Sequence, residues 1–370
     1  MNKKNFSNYN NLNSFKGKKV LITGHTGFKG SWLTAWLKKL GAKIMGISID
    51  IPSHPSHFIA AKIGKDIISK KIDIRDLKKL KKNIKQFQPD YVFHLAAQSL
   101  VSKSYKDPIK TWSTNVQGTL NILESLRTIK KKCVAVIITS DKSYKNLELK
   151  RGYRENDILG GKDPYSASKA SAELVIKSYI ESFFPIKKTK VKIGIARAGN
   201  VIGGGDWAEN RLIPDCVRSW SKGKKAIIRN PNSTRPWQHV LEAVSGYLYL
   251  GINLDKNIKL HGEAFNFGPN TSKDYSVLSL VKTMQVFWKD VVWKIYKGKG
   301  VKFYESNLLK LNCKKAKQKL KWVSILNFRE TIQMVSEWYK NYYLKKNKMD
   351  QLTFKQIKNY EFLVKKRGLS

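Results

Sequence analysis

Residues 20–36 read VLITGHTGFKGSWLTAW. Val20, Leu21, Ile22 and Thr23 form a short apolar run without alternation, as expected of a strand buried on both faces of a parallel sheet. Gly24, Gly27 and Gly30 follow at three-residue spacing. Glycine permits a tight turn and a close approach of backbone to ligand. A helix that starts there points free N–H groups and the positive end of its dipole at an anion. Trp32, Leu33, Trp36, Leu37 and Leu40 recur at helical spacing and give that helix an apolar face. Strand, glycine loop and helix in this order are the context of a dinucleotide site.

Working outward, residues 42–50 (AKIMGISID) predict a second strand ending in Asp50. A carboxylate about twenty residues beyond the last glycine of the loop suits the adenosine ribose hydroxyls and disfavours an extra phosphate, which favours NAD over NADP. Further strands are predicted at 72–76, 89–97 and 134–139, with a helix over 114–129 between the last two. The small residues Ala96 and Ala97, after Leu95, would let a cofactor approach the carboxyl edge of their strand. This alternation specifies an α/β, Rossmann-type doubly wound parallel sheet. The second half is more irregular: a strand at 190–197, a glycine-rich loop at 198–206, a helix at 213–222, a strand at 226–228, and amphipathic helices at 278–287 and 326–343. The expected layout is a flexible polar leader (1–16), an NAD-binding domain (17–197), a smaller substrate-binding lobe (198–345) with some segments returning to the core, and a basic peripheral tail (346–370).

The 370 residues are enough for a large core. No apolar run reaches membrane-span length. Cys133, Cys216 and Cys313 are scattered, without CxxC spacing, so neither a metal site nor a disulfide framework is expected, and a reducing cytoplasmic setting fits. The net charge of +44 predicts attraction to polyanions. The lysines are spread along the chain, however, and no nucleic-acid motif accompanies them, so a solvated surface is the expectation and nucleic acid is not an expected partner.

Tyr165 and Lys169 stand four residues apart, on one face of a predicted helix. A free phenol has a pKa near 10, and a neighbouring cation lowers it. Tyr165 is therefore expected to exchange a proton with a sugar hydroxyl while a hydride leaves the same carbon. Asp141 and Lys142 follow the strand at 134–139; on the residues alone the expectation is an exposed ion pair on a loop, although neighbouring residues at a strand's end are able to supply an acid and a base.

The glycine trio, Tyr165-xxx-Lys169 and the strand order resemble the extended short-chain dehydrogenase/reductase superfamily. The stretches GHTGFKGSWL (24–33), HLAAQSLV (94–101), ITSDKSY (138–144), GYREND (152–157), DPYSASK (163–169), ARAGNVIGGGDWAENRLIPD (196–215), RNPNSTRPWQHVLE (229–242) and FNFGP (265–269) resemble the CDP-glucose 4,6-dehydratase family. That resemblance implies a lyase that oxidises C4 of a CDP-glucose substrate, eliminates water across C5 and C6, and returns hydride to C6 for deoxysugar and surface-polysaccharide (O-antigen, lipopolysaccharide) synthesis. It implies Tyr165 as base, Lys169 as its pKa modulator and nicotinamide-ribose ligand, Asp141 as acid at C6, Lys142 as base at C5 and Ser140 as hydrogen-bond donor to the C4 oxygen. His25, Thr26, Phe28 and Lys29 would complete the phosphate loop, Asp73 and Ile74 would meet the adenine, and Asn200, Arg211 and Arg235 would lie near the nucleotide diphosphate. A homodimer through the Tyr165 helix and the helix near 115–127 is also implied. Ser102 stands where the family carries arginine. The competing readings are another nucleotide-sugar dehydratase or C4 epimerase and, from a different class, a non-catalytic polyanion-binding protein.

Overall fold

The computed structural model describes residues 9–269, 274–296 and 309–367. Seven strands build one sheet: β1 (Lys19–Thr23), β2 (Lys43–Ser48), β3 (Ile68–Lys71), β4 (Tyr91–His94), β5 (Cys133–Ile138), β6 (Val191–Ala198) and β7 (Ala264–Phe267). All pairs are parallel, and the order is β7-β6-β5-β4-β1-β2-β3. The strand order reverses between β1 and β4, the switch point at whose carboxyl edge open α/β sheets bind ligands. The helices used below are α1 (Phe28–Lys39), α2 (Leu77–Phe87), α3 (Gly118–Leu126), α4 (Pro164–Phe183), α5 (Val240–Lys256), α6 (Phe328–Tyr343) and α7 (Met349–Arg367).

The inner strands are apolar at nearly every position because helices cover both faces, and the two faces carry separate cores. On one face Trp32, Trp36 and Leu37 of α1 pack with α5 and with Val134 and Val136 of β5. On the other, Leu80 and Ile84 of α2 and Ile122, Leu123 and Leu126 of α3 close over Leu21, Val92 and Ala135.

Three expectations need correction. The third strand is Ile68–Lys71, and 72–76 is the loop after it. ISKK is an exposed edge strand, so it lacks the apolar run by which the inner strands are recognised. The leader is not loose where it is described: Tyr9–Phe15 form a 3-10 helix, and Leu12 and Phe15 are buried. The Phe15 ring lies 4.7 Å from Tyr91 and 6.2 Å from Phe93, and burying two such side chains contributes about 2 kcal/mol each. Nor is the tail peripheral. It forms α7, which buries Leu352, Ile357 and Tyr360, and its Glu361 accepts from Trp36 Nε1 at 2.8 Å and pairs with Lys39 at 2.6 Å.

Short strands outside the sheet organise the remaining lobe: Val201–Ile202 beside Gln238–His239, Thr234–Arg235 beside Tyr275–Ser276, and Ala226–Ile228 beside Trp293–Ile295. No helix among the described residues is long and apolar enough to cross a membrane, and none of their His, Cys, Asp and Glu side chains cluster as a metal site. The three cysteines are free.

Candidate active site

The glycine loop turns sharply after β1. Gly24 has φ +76, and a Cβ on it would lie 2.8 Å from the Ala96 nitrogen. A Cβ on Gly30 would lie 2.0 Å from the Gly24 carbonyl oxygen. The N-cap of α1 is Gly27, which offers no side-chain acceptor, so the first-turn N–H groups keep their hydrogen-bonding capacity for an anion. Asp50 stands exposed just beyond β2, and Thr26 Oγ1 donates to its backbone oxygen at 2.6 Å. Leu95, Ala96 and Ala97 leave β4 half-buried beside Gly24, with Ala96 N donating to Thr23 Oγ1 at 3.2 Å. A tight backbone cradle, an uncapped helix start and a carboxylate at the next strand end suit the diphosphate and ribose of a dinucleotide.

Four residues expected around the cofactor have side chains engaged within the protein. The His25 ring turns inward, with Nε2 2.8 Å from Ser69 Oγ and Nδ1 2.9 Å from Ser48 Oγ, and burial holds its pKa down to about 4. A neutral imidazole tied to β2 and β3 braces the loop. The Ile74 side chain is buried, and a Cβ on Gly118 would lie 2.4 Å from its Cδ1, so Ile74 is a core residue. Asp73 accepts from Arg75 Nη2 at 2.6 Å and from Arg75 Nε and N, which holds its carboxyl below the usual range. Phe28 packs on the loop after β6, where a Cβ on Gly203 would lie 3.0 Å from its Cζ.

The chemical cluster sits at the carboxyl end of β5. Ser140, Asp141, Tyr165 and Lys169 are all buried. A 3-10 turn, Asp141–Ser143, presents the pair after β5; Ser140 Oγ donates to Asp141 Oδ1 at 2.9 Å and accepts from Lys142 N at 3.2 Å. Asp163 caps α4, accepting from Ser166 N at 3.0 Å, with Pro164 at the first helical position. That start aims Tyr165 and Lys169 along one helix face. Asn200 and Arg235 line a small cleft with Asp141, Lys142 and Leu309, whereas Arg211 Nη1 donates to Asp206 Oδ2 at 2.9 Å.

The electrostatics differ from the expected Tyr–Lys pairing. Burial pushes the Tyr165 phenol up to about 12; the Ser140 hydroxyl and the Arg211 guanidinium pull it down, and Asp141 adds to the rise. Lys169 is not among these leading influences, and it is itself desolvated. Burial brings its ammonium down to about 7, and Lys29 adds to the fall while Glu173 opposes it. Lys29, read as a phosphate-loop residue, reaches this cluster: burial and Arg211 lower it to about 8 against Asp141 and Asp206. Burial raises the Asp141 carboxyl, against Lys142, Ser140 and Lys29. A raised carboxyl pKa favours the protonated form, the one required of a proton donor.

Two supports escaped the sequence reading. Asn115 Nδ2 donates to Ser168 Oγ at 2.9 Å and to the Gln98 oxygen at 3.0 Å, tying α4 to the loop after β4. Arg197, on β6, is fully buried against Glu173 of α4 and donates to Tyr144 Oη at 2.7 Å. Thr139 Oγ1 donates to Glu173 Oε1 at 2.7 Å. This network fixes β5, β6 and α4 around the 141–143 turn, and such contacts leave no local sequence signal.

A parallel seven-stranded sheet with a glycine loop at its switch point, and a buried tyrosine and lysine at the end of β5, defines the extended short-chain dehydrogenase/reductase architecture. A family model described as GDP-mannose 4,6 dehydratase matches residues 21–335. CDP-glucose 4,6-dehydratase of Salmonella typhimurium is 45% identical over 332 residues, covering 89% of this chain and 92% of the relative. An epimerase from Methanothermobacter thermautotrophicus has TM-score 0.78 and 25% identity, covering 92% of this chain and 97% of its own. The dTDP-glucose 4,6-dehydratase of Bacillus anthracis, solved in complex with NAD, has TM-score 0.71 and 21% identity over 88% of this chain and 97% of its own. The chain belongs to the GDP-mannose 4,6-dehydratase family of extended short-chain dehydrogenases/reductases.

Proposed function

We propose that the chain dehydrates CDP-glucose to CDP-4-keto-6-deoxyglucose with NAD as a recycled cofactor. The observation that carries this reading is the 45% identity to a CDP-glucose 4,6-dehydratase over nearly the whole of both chains. Gly24, Gly27 and Gly30 with the start of α1 would hold the diphosphate, Asp50 the adenosine ribose, and Tyr165 and Lys169 the nicotinamide ribose; Leu95, Ala96 and Ala97 would line the site. When bound, NAD supplies a hydride acceptor at C4 and a hydride donor to C6.

The chain's own groups manage the protons. Tyr165 takes the proton of the C4 hydroxyl, with Ser140 hydrogen-bonded to the C4 oxygen and Arg211 favouring the phenolate. The resulting ketone acidifies C5, so Lys142 removes that proton while Asp141 protonates the departing C6 oxygen. Asn200 and Arg235, which line the cleft with Asp141, suit the nucleotide diphosphate, and arginine meets phosphate through a fork of charge-assisted hydrogen bonds. Arg211 is assigned to the tyrosine rather than to phosphate.

The decisive measurement incubates the purified protein with NAD and CDP-, dTDP-, UDP- and GDP-glucose or mannose. A 4-keto-6-deoxy product from CDP-glucose alone is expected. Turnover of another nucleotide sugar only, or epimerisation at C4, would overturn the substrate or the reaction. The proposal places the enzyme in the cytoplasm, supplying deoxysugars for surface polysaccharide. It also includes a homodimer, on a surface where Leu174 of α4 is 59% exposed and Ile109 of the Pro108–Trp112 helix 82% exposed. Helix α3, by contrast, buries seven of its nine residues.

A further inference from the structure

The site leaves the net charge of +44 unused, yet the parallel sheet sorts that charge. The segments that run into the seven strands, each through the strand's first residue, are 16–19, 41–43, 61–68, 88–91, 127–133, 184–191 and 255–264. Together they hold fifteen lysines and arginines against four carboxylates. The loops that leave β1 to β6 before the next helix, 24–27, 49–56, 72–76, 95–100, 139–163 and 199–211, hold eight against ten. The loops that leave the carboxyl edge, where the candidate site lies, are balanced, and the segments at the opposite edge are strongly positive.

The basic segments adjoin one another. Lys43 N donates to the Lys18 oxygen at 2.8 Å, and Lys19 N to Asp90 Oδ2 at 2.8 Å. Val134 N donates to the Asp90 oxygen at 2.9 Å, and Lys190 Nζ to the Lys130 oxygen at 3.1 Å. Of the four carboxylates, Asp90 is paired with Lys131 and Glu263 with Lys315. Apolar side chains stand exposed in the same face: Ile186 beside Lys187 and Lys188, Ile258 between Lys256 and Lys259, and Phe183 where α4 ends.

We propose that this amino edge of the sheet is a docking face for an anionic lipid surface. Clustered lysines attract acidic headgroups through the negative surface potential, and aliphatic side chains among them enter the headgroup boundary. Nucleic acid is the poorer fit. Isoleucines do not stack on bases, and the Arg127 guanidinium lies 4.2 Å from the centre of the Phe183 ring. Docked by this edge, the chain turns the carboxyl edge, with the cleft beside Asp141 and Lys142, away from the membrane.

The test is co-sedimentation of the full chain with phosphatidylcholine vesicles, with and without phosphatidylglycerol, at physiological ionic strength. Wild type should bind only the acidic vesicles. The variant Lys130→Glu/Lys132→Glu/Lys187→Glu/Lys188→Glu should partition about tenfold less or weaker still, with nucleotide-sugar turnover in solution unchanged. Reversing four exposed lysines elsewhere, Lys345, Lys346, Lys355 and Lys358, changes the net charge equally and should cost much less binding. Ile186→Ser/Ile258→Ser should lower the part of binding that survives added salt. No binding to acidic vesicles, an equal loss in both charge-reversal variants, or tighter binding to duplex DNA than to vesicles would each overturn the proposal.

Discussion

The glycine loop after β1 and the turn after β5 share one edge of the sheet and are built from opposite materials. The loop works by what it lacks: no side-chain cap on α1, and no room for a Cβ at Gly24 or Gly30. The turn works by side chains whose proton affinities are moved by burial, with Asp141 and Tyr165 pushed up and Lys169 brought down. Diphosphate binding is thus assigned to backbone geometry and chemistry to desolvated groups. Substitutions in the two regions should fail differently, one through cofactor affinity and the other through rate.

The largest effect is expected at Tyr165. Tyr165→Phe removes one hydroxyl from a buried site, so the fold should hold and NAD affinity should fall only by the one ribose contact, while kcat falls about 10³-fold. Stopped-flow or endpoint product assays, alongside NAD binding by fluorescence, separate the two; an unchanged kcat would remove Tyr165 from the mechanism. Asp141→Asn is next. It keeps the shape and loses the transferable proton, so elimination should slow about 10²-fold. If Asp141 acts after C4 oxidation, the variant should still exchange hydride at C4, and the reduced nicotinamide absorbance should accumulate. Absence of that signal would place Asp141 earlier.

Gly30→Ala should do the reverse. Its Cβ meets the Gly24 carbonyl at 2.0 Å, backbone that cannot step aside without opening the turn. A stability loss of about 1–3 kcal/mol is expected from the overpacking, together with weaker NAD binding. At saturating NAD, kcat should recover most of its value. A kcat loss matching that of Tyr165→Phe would erase the division of labour between the two regions.

The same division decides what was legible in the sequence. A glycine loop between a strand and a helix is local, so residues 20–36 reveal both the fold and the nucleotide edge. The four-residue spacing of Tyr165 and Lys169 is local too. Where side chains point is tertiary. The His25 ring bonds Ser48 and Ser69, and the Ile74 side chain belongs to the core. At both chain ends the apolar positions are sparse among polar ones: Leu12 and Phe15 sit in an asparagine-rich stretch, and Leu352, Ile357 and Tyr360 among lysines. Their burial depends on what the sheet and α1 offer them, which no spacing shows.

The finest test concerns the cation that acts on Tyr165. The spacing points to Lys169, whereas the Arg211 guanidinium, held by Asp206 at 2.9 Å, is the cation that pulls the phenol pKa down. A base is active once deprotonated, so the rate should climb with pH toward the phenol pKa. Arg211 lowers that pKa, and removing it must raise the pKa and move the rising limb to higher pH. For Arg211→Met, kcat at neutral pH should fall about tenfold, the equivalent of one pKa unit, and part of the loss should return as pH increases. Arg211→Lys, which keeps the charge and gives up the fork, should restore the limb without restoring the full rate. If Arg211→Met instead raises KM for the nucleotide sugar and leaves the pH profile in place, the arginine serves the diphosphate, and the cation that tunes Tyr165 must be sought in Lys169 after all.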